Sequence, residues 1–326
     1  MPIAATRKTL PGPVRLDDAP LPPPPDARLG SQVAGFTLER RISLNDLAAV
    51  YCGRRGTELA AIKIHRGHEN RAQTERIRRE RETQRGLTHP CVARLLDWGV
   101  LPDGSPYLAS EWVPGVRLED RLAAGPLPWP AMALILDAVG HGLNAIHAAG
   151  IVHRDLKPSN VMLPDSGEPA AVLLDFGHSL VLGQERLTEH GVILGSASYM
   201  APEQVAGGRL DGRADLYALG VILYRALTGT LPFEHPSPAE VMRRHRWEPV
   251  VPPRARAPAA GIVAVAEDLC LWLLAKDPAA RVPNAHVLLL TLGALAQTPG
   301  TELASPRSAI LAWRYRCVRR CLWRCP

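Results

Sequence analysis

Within eight residues, His153-Arg154-Asp155-Leu156-Lys157-Pro158-Ser159-Asn160, the chain places a carboxylate, a lysine and a side-chain amide, and Asp175-Phe176-Gly177 begins fifteen residues after Asn160. Phosphoryl transfer needs such a set: a carboxylate to orient the attacking hydroxyl, further oxygen ligands for magnesium, and a cation near the phosphates. Asp and Asn are also common turn residues. Their joint occurrence with His153, Lys157 and Asp175 favours the chemical reading.

The elements that would position these groups are legible around them. Between Asn160 and Asp175 lie two apolar runs, Val161-Met162-Leu163 and Ala170 to Leu174, separated by the turn-rich Pro164-Asp165-Ser166-Gly167-Glu168. This predicts a hairpin that returns the chain to its starting end and sets Asn160 beside Asp175, suited to oxygen coordination of magnesium. Upstream, Lys63 stands in the apolar segment Ala60-Ala61-Ile62-Lys63. From Arg71 to Leu87, residues Gln73, Ile77, Glu80, Gln84 and Leu87 recur at spacings of three and four, the mark of one helix face. An isolated lysine in an apolar strand is usually a snorkelling residue. Here a helical glutamate, Glu80, follows downstream.

Several further segments, in a fixed order over about residues 36 to 295, resemble a bacterial receptor-type (eukaryotic-like, Hanks-type) serine/threonine protein kinase. The resemblance implies an α+β protein-kinase fold of two lobes, a small β-rich lobe with one regulatory helix and a larger α-helical lobe. It implies that Lys63 holds the α and β phosphates of ATP, that Glu80 pairs with it, and that Asp155 and Lys157 serve the transfer, with Asn160 and Asp175 holding Mg2+, or Mn2+ as the alternative. In the hinge-like Tyr107 to Val113, backbone groups of Glu111 and Val113 would meet the adenine edge, and Ser110 would stand at the back of the pocket. Val50, Ala61 and Met162 complete the expected ATP-binding set. Gly195 to Glu203 is similar to the end of an activation segment. Glu203 would pair with Arg281, Asp215 would brace the catalytic-loop backbone, and Ser196 would support Asp155 and Lys157. Thr188 is a candidate phosphosite, and Arg154 is the cation a phosphate on that loop would meet. Lys157, two residues after Asp155, favours Ser or Thr hydroxyls on protein substrates, including the chain itself.

One departure from the family pattern stands out. Counting back from Val50 in the phosphate-covering loop puts Ser43, Asn45 and Ala48 where the family has glycine. Glycine there lets the backbone approach the phosphates. Weakened nucleotide handling is therefore expected, and a nucleotide-binding pseudokinase scaffold is the alternative function. An antibiotic-phosphotransferase type of small-molecule kinase fits less well, since such enzymes typically lack the Ala-Pro-Glu segment found here at Ala201-Pro202-Glu203.

Composition sets the remaining expectations. The 326 residues suffice for two lobes plus extensions, and the net charge of +6 is modest, with no base-reading motif that would imply nucleic acid. No secretory signal and no apolar run near 18 residues is read, so a cytoplasmic site without a spanning helix is expected. Residues 1–34, Pro-rich, are expected to form an arm that does not pack; 35–111 the small lobe; 112–297 the large lobe; and 298–326 a basic tail rich in Trp and Cys. In that tail Cys317, Cys321 and Cys325 recur every four residues, a spacing without the paired cysteines of usual zinc sites. Contact of the tail with an anionic membrane surface is a weak reading beside no function at all. A homodimer is the other partner considered.

Overall fold

The computed structural model describes residues 26–45, 48–66, 81–82, 84–175 and 197–296. Strands β1 (Gln32–Val33), β2 (Phe36–Leu44), β3 (Ala48–Arg55), β4 (Glu58–His65), β5 (Leu95–Val100) and β6 (Pro106–Glu111) form one sheet in the order β1-β2-β3-β4-β6-β5. Neighbouring strands all run antiparallel. Strand residues alternate between faces. In β4, Ala60, Ile62 and Ile64 are therefore buried in the small-lobe core with Phe36, Leu38 and Tyr51, while Ala61 and Lys63 stand on the other, partly open face. A register slip of one residue would drive Lys63 into that core.

Residues 26–34, expected to belong to an arm that does not pack, are instead part of the small lobe. The Asp26 carboxylate accepts from Arg41 Nη1 at 2.8 Å, from the Tyr51 hydroxyl at 3.0 Å and from the Arg28 N–H at 3.1 Å. Burial opposes its ionisation, but the Arg28 N–H, Tyr51 and Arg41 together hold its carboxyl below the ordinary carboxylate range. Arg28 reaches Asp103 at 2.8 Å, and Val33 is 3% exposed. A two-residue strand is too short to show a period, so the proline content upstream set the boundary too late.

A second antiparallel sheet, β7-β8-β9, joins Gly115–Arg117, Val161–Pro164 and Val172–Leu173. Gly115 is required there: a Cβ would run into the Leu163 carbonyl across the ladder. Around this sheet pack α1 (Leu118–Ala123), α2 (Trp129–Ala148), α3 (Pro202–Val205), α4 (Arg213–Thr228), α5 (Pro238–Trp247), α6 (Pro253–Arg256), α7 (Ala264–Leu273) and α8 (Ala285–Ala296). The longer ones fall within a few residues of the helical patterns that the sequence shows at Trp129 to Gly150, Ala214 to Thr228, Pro238 to Arg246, Ile262 to Ala275 and Val282 to Ala296. Helix α4 is apolar nearly all round, as a helix at the centre of a core must be, and its Leu216, Leu219, Ile222 and Leu223 are inaccessible. It stops at Gly229, whose φ of +77° only glycine adopts cheaply.

One expectation needs correcting. Pro278–Ala296 is long and apolar enough to cross a membrane by length and composition. It escaped notice because Arg281 interrupts the apolar run, and that arginine is buried among partners described below. The segment's later turns, α8, bury Leu288 and Leu292 against the large-lobe core.

Candidate active site

The predicted hairpin forms, with Val161 opposite Leu173 and Met162 opposite Val172. Its closing contact is the Leu174 N–H donating to the Asn160 carbonyl at 2.9 Å, which fixes Asn160 beside the residue preceding Asp175. The Asn160 amide nitrogen donates to the Asp155 carbonyl at 2.8 Å and to Asp155 Oδ2 at 3.3 Å. Lys157 Nζ lies 2.8 Å from the same carboxylate oxygen. From the small lobe, Lys63 Nζ meets Asp175 Oδ2 at 3.0 Å. Two carboxylates, two lysines and an amide thus converge from three separate stretches of chain. Glu80, Ser196 and Thr188 lie outside the described residues.

A buried carboxylate holds the loop that carries Asp155. Asp215, 1% exposed at the start of α4, accepts from the His153 N–H and the Arg154 N–H, each at 2.8 Å, and meets His147 Nε2 at 2.8 Å. These contacts hold the Arg154 backbone, which is costly by itself. Arg154 sits at φ +66° and Asp175 at φ +51°, a region non-glycine residues seldom occupy, at a cost of about 1–3 kcal/mol each. Among the described residues, the buried Nε of Arg154 has no hydrogen-bond partner.

A second buried anchor lies below. Arg281, its side chain fully buried, makes a bidentate pair with Glu203 at 2.7 and 3.1 Å and donates to the carbonyls of Arg213, Ala275 and Lys276. Beside it, His245 is enclosed by the rings of Phe233 and Tyr217, and burial, then nearby Lys276, push its pKa down to about 3. Lys276 itself is pushed down to about 8 by burial, although it donates to the His245 carbonyl at 2.6 Å.

Three supporting residues escaped the sequence reading. His147 meets Asp215, Gln204 bridges the Ala201 N–H and the Arg154 carbonyl at 3.0 and 2.8 Å, and Arg225 donates to the Tyr199 hydroxyl at 2.9 Å. Gln204 had a signal in its place directly after Ala-Pro-Glu, at the third position of a short helix that opens on proline. His147 and Arg225 had none, because their partners lie 68 and 26 residues away.

On the nucleotide side, Val50 pairs across the sheet with Ser43 and with Lys63, and Ala61 with Ser110, so these residues share the neighbourhood of Lys63. The loop lacking glycine is tied by its own asparagine. The Asn45 N–H donates to the Ala48 carbonyl at 3.0 Å, and the Ala48 N–H donates back to Asn45 Oδ1 at 2.8 Å. The Ala48 N–H is therefore engaged and does not face a phosphate. At the hinge, the Glu111 N–H donates to the Arg94 carbonyl at 2.9 Å and is likewise taken; Val113 follows it, half-buried.

The donor set fits magnesium. The Asn160 amide nitrogen faces Asp155, which leaves its oxygen for another partner near the Asp175 carboxylate. No cluster of three or more His, Cys, Asp or Glu suited to a metal occurs among the described residues. Magnesium needs no such cage, since it is commonly held by one or two protein oxygens together with substrate phosphates and water.

A sequence profile described as the protein kinase domain matches residues 46–290. The chain belongs to this family. The kinase is 36% identical over 280 residues to serine/threonine-protein kinase pkn2 of Myxococcus xanthus, covering 81% of this chain and 33% of that protein. It is 42% identical over 244 residues to the DNA damage-responsive serine/threonine-protein kinase RqkA of Deinococcus radiodurans, covering 73% and 35%. Among solved structures, Rad53 residues 1–466 in complex with AMP-PNP superposes with a TM-score of 0.64 at 25% identity, over 77% of this chain and 63% of that one. The kinase thus spans about a third of the length of these curated relatives.

Proposed function

We propose that the chain is an ATP-dependent protein serine/threonine kinase, transferring the γ-phosphoryl group to Ser or Thr hydroxyls of proteins and to itself. The observation that carries this reading is the pairing of Lys63 with Asp175 beside that of Lys157 and Asn160 with Asp155, the two sets tied together by the Leu174–Asn160 backbone hydrogen bond.

In this reading Asp155 accepts a hydrogen bond from the substrate hydroxyl and aims its oxygen at the phosphorus. Lys157, already beside Asp155, meets the transferred phosphoryl group. Lys63 exchanges the Asp175 carboxylate for the α and β phosphates. Asn160 and Asp175 would hold Mg2+, which neutralises charge on the phosphates when bound. Arg154 offers a guanidinium whose Nε has no partner among the described residues, the group on which a phosphate at Thr188 would land. Protein substrates follow from the resemblance, and a cytoplasmic site is proposed with them.

The test is phosphate incorporation from labelled ATP with magnesium, into the chain and into a generic basic protein, beside Asp155→Asn. Incorporation that vanishes in the variant supports the reading, and mapping the label tests Thr188. Equal incorporation in both proteins, or none in either while ATP still binds, would sink it.

A further inference from the structure

Behind the hinge lies an open groove of about 530 Å³. Its floor is apolar, with the partly or fully buried Trp112, Pro169 and Val172, and its rim carries the exposed carboxylates of Glu111, Asp165 and Glu168. Arg94 is the one arginine among its described lining residues. His89 adds no charge near neutral pH, because burial, reinforced by His141, lowers its pKa from an ordinary 6.5. Three carboxylates against one guanidinium give an acidic rim over an apolar floor. Such a surface suits a segment that interleaves arginines with large apolar side chains.

The chain carries one. Beyond α8, residues 307–326 hold Arg307, Arg314, Arg316, Arg319, Arg320 and Arg324 and no acidic residue, with Trp313, Tyr315, Leu322 and Trp323 between them. Geometry permits the match. Gly140 of α2 packs against Leu288 and Leu289 of α8, while Gly142 packs against the Cys91 carbonyl and Leu173, neighbours of groove residues His89, Pro90 and Val172. Two residues apart on a helix face nearly opposite ways, so α8 and the groove wall lie on either side of α2, about 10 Å apart. The helix from Leu289 to its end adds at most ~11 Å. Residues 297–306 alone span up to ~33 Å when extended.

We propose that this basic, tryptophan-bearing tail folds back onto its own kinase domain and occupies the groove behind the hinge. Its arginines face Glu111, Asp165 and Glu168, and its aromatic side chains cover the proline and tryptophan floor. One segment then spans the hinge at Glu111–Pro114 and the β8–β9 turn at Pro164–Glu168.

The tail's cysteines allow a test in the full chain. Ser166→Cys places a thiol on the exposed β8–β9 turn, and Ser237→Cys places one on the exposed start of α5 as a control. The native thiols of Cys52, Cys91 and Cys270 are buried and their pKa values raised by burial, so Cys317, Cys321 and Cys325 are the intended partners. Diamide would oxidise each thiol pair to a disulfide, to be mapped by mass spectrometry.

The expected result is a link from position 166 to a tail cysteine, absent from position 237 and independent of protein concentration. Asp165→Lys with Glu168→Lys should lower its yield by about tenfold, and high salt should lower it too. A link that grows with concentration would overturn the proposal in favour of a second copy of the chain. Equal linking at 166 and 237, no link at 166, or indifference to charge reversal in a variant with unchanged melting would also overturn it. So would loss of the link on adding phosphatidylserine vesicles that sediment the chain, which would assign the tail to a membrane surface instead.

Discussion

The two halves of the active site are held in different ways. In the large lobe, Asp155 rides on a loop fixed by the buried carboxylate of Asp215, over the buried Arg281–Glu203 pair. In the small lobe, among the described residues, Lys63 meets Asp175 in an ion pair whose side chains are 22% and 29% exposed, and Asn45 clips the Ala48 N–H of the phosphate loop. Breaking a buried, multiply bonded pair leaves a desolvated charge, whereas a half-exposed contact exchanges with water at little cost. The half that orients the hydroxyl is thus built to stay put. The half that meets ATP is built to give way to it.

The largest expected break is Arg281→Met, which strands Glu203 and three carbonyls and should cost about 3–5 kcal/mol in denaturant unfolding. A loss below about 1 kcal/mol would show that the large lobe is no more firmly held than the small one.

Acid should act on the same lobe next. His245, with a folded pKa of about 3 against an ordinary 6.5, is neutral in the fold but takes a proton when unfolded. Below pH 6.5 the unfolded chain therefore binds more protons, so stability falls as pH falls and the loss is complete near the folded value. Between pH 6.5 and about 4 this amounts to about 3 kcal/mol. His245→Gln should flatten that slope, and an unchanged slope would assign the acid sensitivity elsewhere.

In the small lobe the effects are smaller and fall on ligand binding. Placing glycine at Ser43, Asn45 and Ala48 together should tighten ATP by roughly tenfold, about 1.4 kcal/mol, by returning backbone N–H groups to the phosphates. An unchanged ATP dissociation constant would refute this account of the loop. Asn45→Ala alone should cost about 1 kcal/mol of stability through loss of the clip on the Ala48 N–H. If the melting curve does not move, the clip contributes nothing.

Much of this contrast was legible in the sequence, though unevenly. The run from His153 to Asn160, the hairpin to Asp175 and the long helices follow from turn chemistry and periodicity, both local. The contact of Asp215 with His147 joins positions 68 residues apart, and no local pattern encodes it. The three substitutions in the phosphate loop were plain. That Asn45 would use its side chain to engage a backbone donor was not, because the geometry of the turn decides it. The pairing of Lys63 with Asp175 was also not foreseen, since the sequence offered Glu80.

The clasp formed by Asp26 sets the latest point at which the folding unit can begin. Arg41, Tyr51 and the Arg28 N–H converge on that one carboxylate, and Val33 fills a slot in the core ahead of the first long strand. A protein trimmed to start at Phe36 would look complete by its catalytic motifs, yet it would expose that slot and leave Arg41 and Tyr51 facing water. Trimming experiments should therefore begin no later than Asp26.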